Sequence, residues 1–314
     1  MGLPMILILN PNPALDRAAE LPGFEAGQSH HLPATRWFAG GKGFNFARAL
    51  LALGGHPFVV GMLAGHIGRL VEQLAAAEGI PAAYHWFEGE TRIGLHLVDP
   101  ARRRVTELYE VGPVPTPDDW THYSALVESH LPGTQAIAVC GSLAASAPAD
   151  LLRSLVETAH RAGVPSLIDT SGPQLASALQ ARPHLIKINQ HEAADLLAQP
   201  VHTTPDGLAA ALQVQRQGAR AVVITLGAQG AVGVDEAGQP FAWAAPRVET
   251  LSPVGSGDSL FAGIAAAWVA RRPLAEAARL GVAAGAANAL QIGAGVFQPA
   301  QVETLLPQVQ PLSL

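Results

Sequence analysis

The chain has 314 residues, 49% hydrophobic and 14% charged, a composition that buries a large core and excludes a disordered chain. Its 19 Lys and Arg stand against 25 Asp and Glu, a formal net charge of −6, so no basic surface is available to hold a nucleic-acid backbone. A single cysteine, Cys140, excludes a disulfide framework or a Cys-rich zinc site. No apolar run is long and charge-free enough to span a bilayer, and Leu3 to Leu9 is too short for a signal peptide, so a cytoplasmic protein is expected.

Met5 to Leu9 is a continuous apolar run stopped by Asn10-Pro11-Asn12-Pro13, the pattern of a buried parallel strand. Open α/β sheets bind ligands beyond the carboxyl ends of their strands, and Asp16 follows just past this end, either as a ligand group or as a solvated turn residue. Residues 17–38 sustain no helical period; His30 to Leu32 and Thr35 to Phe38 read as short strands outside the main sheet. Gly43 to Leu53 is helical, Phe58 to Met62 a strand, Arg69 to Glu78 a helix and Ala83 to Phe87 a strand. The alternation then breaks: Arg92 to Val98 and Arg104 to Tyr109 alternate around an Asp99-Pro100 turn, which predicts a hairpin that joins residues 17–38 in a small separate sheet.

From residue 111 onward β-α alternation resumes. Helices are expected at Trp120 to His130, Pro148 to Ala162, Asn189 to Ala198, Leu208 to Gln217, Leu260 to Arg271 and Leu274 to Leu290. Strands are expected at Ala136 to Cys140, Ser166 to Asp169, Leu185 to Ile188 and Ala221 to Thr225, with a hairpin of Ala231–Val234 and Phe241–Ala244. The last two helices are Ala-rich and can pack closely.

Two glycine clusters open helices: Gly40-Gly41-Lys42-Gly43-Phe44-Asn45, and Val254-Gly255-Ser256-Gly257-Asp258 ahead of the run Leu260 to Val269. Such loops present backbone N–H groups to an anion, and two of them imply two anionic groups. Asp258 reads either as a helix-capping carboxylate or as a base beside a phosphate. There is no Walker motif, no dinucleotide fingerprint, no nucleophile elbow and no His-Glu-x-x-His zinc site. The remaining polar residues at strand ends, Asp16, Lys42, Asn45, Arg92, Lys187, Asn189, Glu192 and Thr225 with the Gly255–Asp258 loop, form the parts list of phosphoryl transfer.

The ordered set Gly40-Gly41-Lys42-Gly43-x-Asn45, Thr91-Arg92-Ile93, Gly141-Ser142-Leu143, Asn189-x-x-Glu192, Thr225-Leu226-Gly227 and Val254 to Ser259 resembles the ribokinase (PfkB) family of carbohydrate kinases. Within it, the 1-phosphofructokinase and tagatose-6-phosphate kinase branch is the most similar. The resemblance implies a Rossmann-like three-layer α/β/α fold with a small β-sheet lid. The large domain would comprise 1–16, 39–90 and 111–314, and the lid 17–38 and 91–110. The lid strands read as having one apolar face, with Leu32, Trp37, Ile93, Leu95, Val105 and Leu108, so a homodimer joined through the lids is expected. The resemblance implies ATP and Mg2+ as cofactors and leaves a monovalent cation open. Asp258 would be the base, with Gly255, Ser256 and Gly257 as the anion hole. Asp16, Gly41, Lys42, Asn45 and Arg92 would bind the acceptor, and Lys187, Thr225, Gly227 and Gly230 the nucleotide. Asn288 would lie near the adenine, and Asn189 and Glu192 would hold the metal mainly through water.

Each role has a plainer alternative: Asn189 and Glu192 as a capping pair, Thr225 as a strand-end hydroxyl, Asn288 as a mid-helix residue bonding its own turn. At Asp258 the helix dipole should favour the ionised form. Where the branch continues Thr-Arg-Ile with Asn-Val-Lys, this chain has Gly94-Leu95-His96, so a permanent cation is replaced by a histidine charged only as a minority at neutral pH unless shifted. Arg102, Arg103 or Arg104 could replace that cation, or be a solvated hairpin tip. The implied activity is phosphoryl transfer from ATP to a hexose phosphate. The alternatives are an unphosphorylated sugar or nucleoside as acceptor, or a catalytically silent sugar-phosphate binding protein on the same fold.

Overall fold

The computed structural model describes residues 5–32 and 34–313; residues 1–4, 33 and 314, including the first residues of the Leu3 to Leu9 run and both ends of the expected large domain, lie outside it. In chain order the first half contains β1 (Met5–Asn10), β2 (Ala14–Glu20), β3 (Arg36–Gly40), α1 (Lys42–Ala52), β4 (His56–Ala64), α2 (Gly65–Ala77), β5 (Ala82–Phe87), β6 (Ile93–Asp99) and β7 (Arg104–Tyr109). There follow α3 (Pro117–Ser129), β8 (Thr134–Cys140), α4 (Leu151–Arg161), β9 (Ser166–Asp169), α5 (Gly172–Gln180), β10 (Leu185–Asn189), α6 (Gln190–Leu197), α7 (Thr204–Arg216) and β11 (Ala221–Thr225). The chain closes with β12 (Gly230–Val234), β13 (Pro240–Ala244), α8 (Ser256–Val269), α9 (Leu274–Ala289), α10 (Pro299–Leu305) and β14 (Gln310–Pro311).

The large sheet has the order β14-β13-β12-β11-β10-β9-β8-β1-β4-β5. It is parallel from β5 to β11 and antiparallel from β12 outward. Helices cover both faces, which is why its strands read as unbroken apolar runs. Along β1, Ile6 and Ile8 enter a core shared with α1, α8 and α9, whereas Leu7 and Leu9 enter a second core with α3, α4, α5 and α7. The chain leaves β1 toward β4 on one side and returns at β8 on the other, so the β1/β8 boundary is the crevice where such sheets place ligands.

A four-stranded sheet, β3-β2-β6-β7, stands over that crevice. It starts earlier than the sequence reading placed it: β2 already includes Asp16, because Pro11-Asn12-Pro13 turns the chain directly from β1 into β2. The boundaries expected after 16 and 38 therefore fall inside strands β2 and β3. His30 to Leu32 forms no strand, and α5, α10 and β14 are additional elements. Helix α5 escaped notice because Gly172-Pro173 reads as a turn, yet proline is accepted in a first helical turn. The apolar residues of the small sheet do not share one face. Val105 and Ile93 pack toward the main body, while Trp37, Leu95 and Leu108 form an outer row with Arg17, and Leu32 packs with Leu95 against Ala19, Leu21 and Leu97.

Helices α1 and α8 meet through Phe46 and Phe261, both fully buried, with ring centroids 5.1 Å apart in edge-to-face contact. This contact fixes the start of α1 beside the start of α8. Phe261→Ala should destabilise the protein by about 3–5 kcal/mol in urea denaturation, the usual cost of an aromatic cavity; a loss below about 1 kcal/mol would show that the α1/α8 contact does not carry the junction.

Candidate active site

A cleft of about 1160 Å³ lies beyond the carboxyl ends of the parallel strands and beneath the small sheet. It is lined by Asp16, Gly41, Lys42, Asn45, Arg92, Lys187, Asn189, Thr225, Gly227, Gly230, Gly255, Ser256, Gly257 and Asp258. Of the residues to which the family resemblance gave site roles, Glu192 and Asn288 are not on its wall.

The loop ahead of α8 turns at Gly255, which caps the helix in the left-handed region at φ 79 and ψ −1. A side chain there would also collide with Ala294, 2.5 Å from the position of a Cβ, so both the turn and the packing require glycine. Helix α8 starts at Ser256 rather than Leu260, which puts Asp258 inside the first turn and removes it from the capping role: no side chain caps this helix. The Asp258 carboxylate instead accepts a hydrogen bond from Asn45 Nδ2 at 2.9 Å. The dipole does not leave it an ordinary ionised carboxylate, as expected from sequence. Burial dominates and pushes its pKa up to about 6, with Lys42 opposing.

Asp169, at the end of β9, is the group that sequence reasoning missed. It is 1% exposed and accepts from Lys187 Nζ at 2.7 Å, while Lys42 Nζ stands 3.4 Å from its other oxygen. Burial alone would raise this carboxyl, but Lys187 and Lys42 outweigh it and hold the group below its ordinary range; Asp169 in turn raises Lys42. A Cβ on Gly257 would come within 3.3 Å of Lys187 Nζ, which places that ammonium against the anion loop. Lys42, expected at the acceptor, also lies 3.6 Å from Glu192 Oε1. The only sequence signal for Asp169 was its position as a polar residue at the carboxyl end of a parallel strand.

Asn189 and Glu192 form a full capping box on α6: Asn189 Oδ1 accepts from the amides of His191 and Glu192, and Glu192 Oε2 accepts from the Asn189 amide at 2.8 Å. The capping alternative is thus realised, and Glu192 Oε1 is the oxygen left to face Lys42 and the cleft. Asn288 is fully buried, and its side-chain hydrogen bonds all go to protein groups other than its own helical turn. It bonds Val254 O at 2.8 Å and Ser256 Oγ at 3.3 Å, and accepts from Ser259 Oγ and the Gly295 and Val296 amides. It therefore pins the anion loop to the segment after α9. The far end of the cleft is an apolar slot of Ala245, Val248, Val282, Ala286 and Ala289 beside Gly227 and Gly230.

At the other end, Arg92 donates to Asn12 O at 3.0 Å, is half-buried, and has its pKa lowered by burial. Asp16 accepts from the Gly41 amide at 3.3 Å. His96 is not the minority cation expected from sequence. Burial pulls it down, but the neighbouring carboxylates of Asp16 and Glu107 raise its pKa to about 9. Arg102 and Arg104 do not replace a lid cation, because both donate to Phe24 O at the hairpin tip, and Arg103 pairs with Glu249 at 3.3 Å.

The chain as a whole is similar to known proteins. The profile of the pfkB family carbohydrate kinases matches residues 12–301. The chain belongs to that family. The 1-phosphofructokinase of Rhodobacter capsulatus is 34% identical over 295 residues, covering 94% of this chain and 93% of that protein. Among solved structures, phosphofructokinase-2 from Escherichia coli in complex with fructose-6-phosphate superposes with a TM-score of 0.88 at 27% identity, covering 98% of this chain and 99% of that one. Its complex with potassium gives a TM-score of 0.89 at 27% identity, with the same coverage of both chains. The ribokinase-like α/β fold is the one expected from sequence.

A carboxyl held low stabilises the fold above the ordinary carboxylate range and loses that contribution as pH falls through its own depressed value. Asp169→Asn should therefore destabilise the protein by about 3–5 kcal/mol at neutral pH, as when one partner of a buried pair is removed. Urea denaturation across pH checks this, and the gap between variant and wild type should close on acidification.

Proposed function

We propose that the protein transfers the γ-phosphoryl group of ATP to a hydroxyl of a hexose phosphate of the fructose 1-phosphate, fructose 6-phosphate or tagatose 6-phosphate class. The observation that carries this reading is that one cleft holds Asp258 on its anion loop and, at its far wall, the Arg92 guanidinium. A guanidinium suits bidentate capture of a phosphate better than of a neutral hydroxyl. The acceptor oxygen forms a bond to the γ-phosphorus, the bond from that phosphorus to the bridging oxygen breaks, ADP leaves, and the hydroxyl proton passes to Asp258. Lys187, the Gly255–Asp258 amides and Lys42 neutralise the charge spread over the transferred group. Asp16, Gly41 and Asn45 orient the sugar, and the apolar slot takes the adenine, with Thr225, Gly227 and Gly230 along the nucleotide. A base and anion loop of this completeness argue against a silent binding protein.

The donor set fits a magnesium ion carried in on the nucleotide. Asp169 is committed to two lysines, Asn189 Oδ1 to two amides, and Glu192 Oε1 is the remaining oxygen. Among the described residues no group of three acidic, histidine or cysteine side chains could hold an ion by itself. Asn189 and Glu192 would thus hold it through water, as a strongly hydrated cation prefers, and it would neutralise phosphate charge. A monovalent cation belongs to the proposal because the Escherichia coli relative was solved with potassium. The outer row Trp37, Arg17, Leu95 and Leu108, with Trp37 42% and Leu108 54% exposed, supports a homodimer through the small sheets. Among the described residues no helix is long and apolar enough to cross a membrane, in keeping with a cytoplasmic enzyme.

Two substitutions test this. Asp258→Asn should lower kcat on the order of 10³-fold with ATP affinity within a few-fold, and erase the fall in kcat/KM that wild type shows as pH drops through about 6. Activity within tenfold of wild type would remove Asp258 as the base. Arg92→Ala should raise the KM of a phosphorylated acceptor by on the order of 2 kcal/mol in binding, with little change for ATP. An unchanged acceptor KM would favour an unphosphorylated sugar or nucleoside.

A further inference from the structure

The acceptor end of the cleft holds more charge than one arginine accounts for. Strand register sets Asp16 of β2 opposite Gly94 of β6, Gly94 opposite Tyr109 of β7, and His96 opposite Glu107. Residues two apart on a strand share a face, so Asp16, His96, Glu107 and Tyr109 all look into the cleft, and all four line it. Gly94 acts through what it lacks. A Cβ there would lie 2.6 Å from Asp16 Oδ1, so only a bare backbone lets that carboxylate lean toward His96.

The result is an imidazole between two carboxylates. His96 Nε2 is 3.6 Å from Asp16 Oδ1, and His96 Nδ1 is 3.3 Å from Glu107 Oε1, which also accepts from the Tyr109 hydroxyl at 3.2 Å. His96 and Asp16 are 6% and 7% exposed, and neither His96 Nε2 nor Asp16 Oδ1 has a closer partner. Arg92, just before β6, lines the same cleft and lies over the Tyr109 ring, 5.9 Å from its centre. From the main body, the side facing His96 offers Asn45 and Ser252, with Asp258 behind Asn45, and the uncharged segment Ile292 to Ala294.

We propose that His96 is a specificity-determining residue for the acceptor phosphate: as an imidazolium it balances Asp16 and Glu107, leaving the Arg92 charge available to the phosphate. With the imidazolium in place, two cations face two carboxylates. Without its proton, one excess negative charge meets an incoming phosphate. The two carboxylates hold His96 protonated up to about pH 9 against the pull of burial, so the balance persists at neutral pH and fails above that value. This inference rests on the sugar-phosphate reading of the site.

The test measures acceptor and ATP KM for wild type, His96→Gln, His96→Lys and the double variant His96→Gln/Glu107→Gln. The probe is whichever of fructose 1-phosphate and fructose 6-phosphate the wild type phosphorylates, followed from neutral pH to about pH 10. His96→Gln should raise acceptor KM on the order of tenfold at neutral pH, leaving ATP KM unchanged. The double variant should recover most of that loss, because removing the Glu107 charge restores the balance; a packing role for His96 would give no such rescue. Wild-type acceptor KM should rise above about pH 9, and His96→Lys should keep a low KM without that rise. A His96→Gln KM within twofold of wild type, or a double variant no better than the single one, would overturn the proposal. Wild type that phosphorylates no sugar phosphate would overturn the kinase reading beneath it, a result distinct from a wild type that is active but indifferent to His96.

Discussion

The site depends on one buried carboxylate, Asp169, shared by two lysines from different parts of the chain. A carboxylate taken out of water is strongly unfavourable unless it is paired and hydrogen-bonded, and here Lys187 at 2.7 Å and Lys42 at 3.4 Å meet that demand. The consequences spread outward. Lys187 is drawn against the loop at Gly257, Lys42 is drawn between Asp169 and Glu192, and the positive charge of Lys42 limits how far burial raises Asp258. Strands β9 and β10 and the starts of α1, α6 and α8 are thus coupled through a few charges.

The fold supplies the rest by placing helix starts around a single crevice. Phe46 against Phe261 sets α1 beside α8, so that Asn45 reaches Asp258, and Asn288 ties the anion loop to the chain after α9. Positioning of this kind is what phosphoryl transfer needs, since little covalent work falls to the protein. The small sheet closes the opposite wall with Arg92 and the Asp16–His96–Glu107 row, so the two ends of the cleft are built from separate sheets that meet at β1 and β2.

Much of this was legible in the sequence, for identifiable reasons. Apolar runs ended by polar residues located the parallel strands, and the glycine clusters located the two helix starts, because both signals are local. What escaped was non-local. Asp169 gains its meaning from Lys42, 127 positions away, and as a lone aspartate at a strand end it offered no pattern. Asn288 looked like any polar residue on an Ala-rich helix, since its partners are groups of two distant loops. The charge state of His96 depended on which residues the register sets across from it and on a glycine at 94, and neither a cross-strand pairing nor the resulting burial can be read from spacing. The Asp258 shift likewise reflects burial overriding a dipole, a competition decided by packing.

The most direct test of the account is acceptor-dependent ADP release from Mg-ATP by the wild-type chain. Fructose 1-phosphate, fructose 6-phosphate and tagatose 6-phosphate would be set against fructose, tagatose and ribose. The account predicts that at least one phosphorylated sugar is used with kcat/KM about a hundredfold or more above every unphosphorylated one, as expected where a half-buried guanidinium loses its charge-assisted pair with the wrong substrate. A preference for an unphosphorylated sugar, or ADP release that no acceptor stimulates, would contradict it.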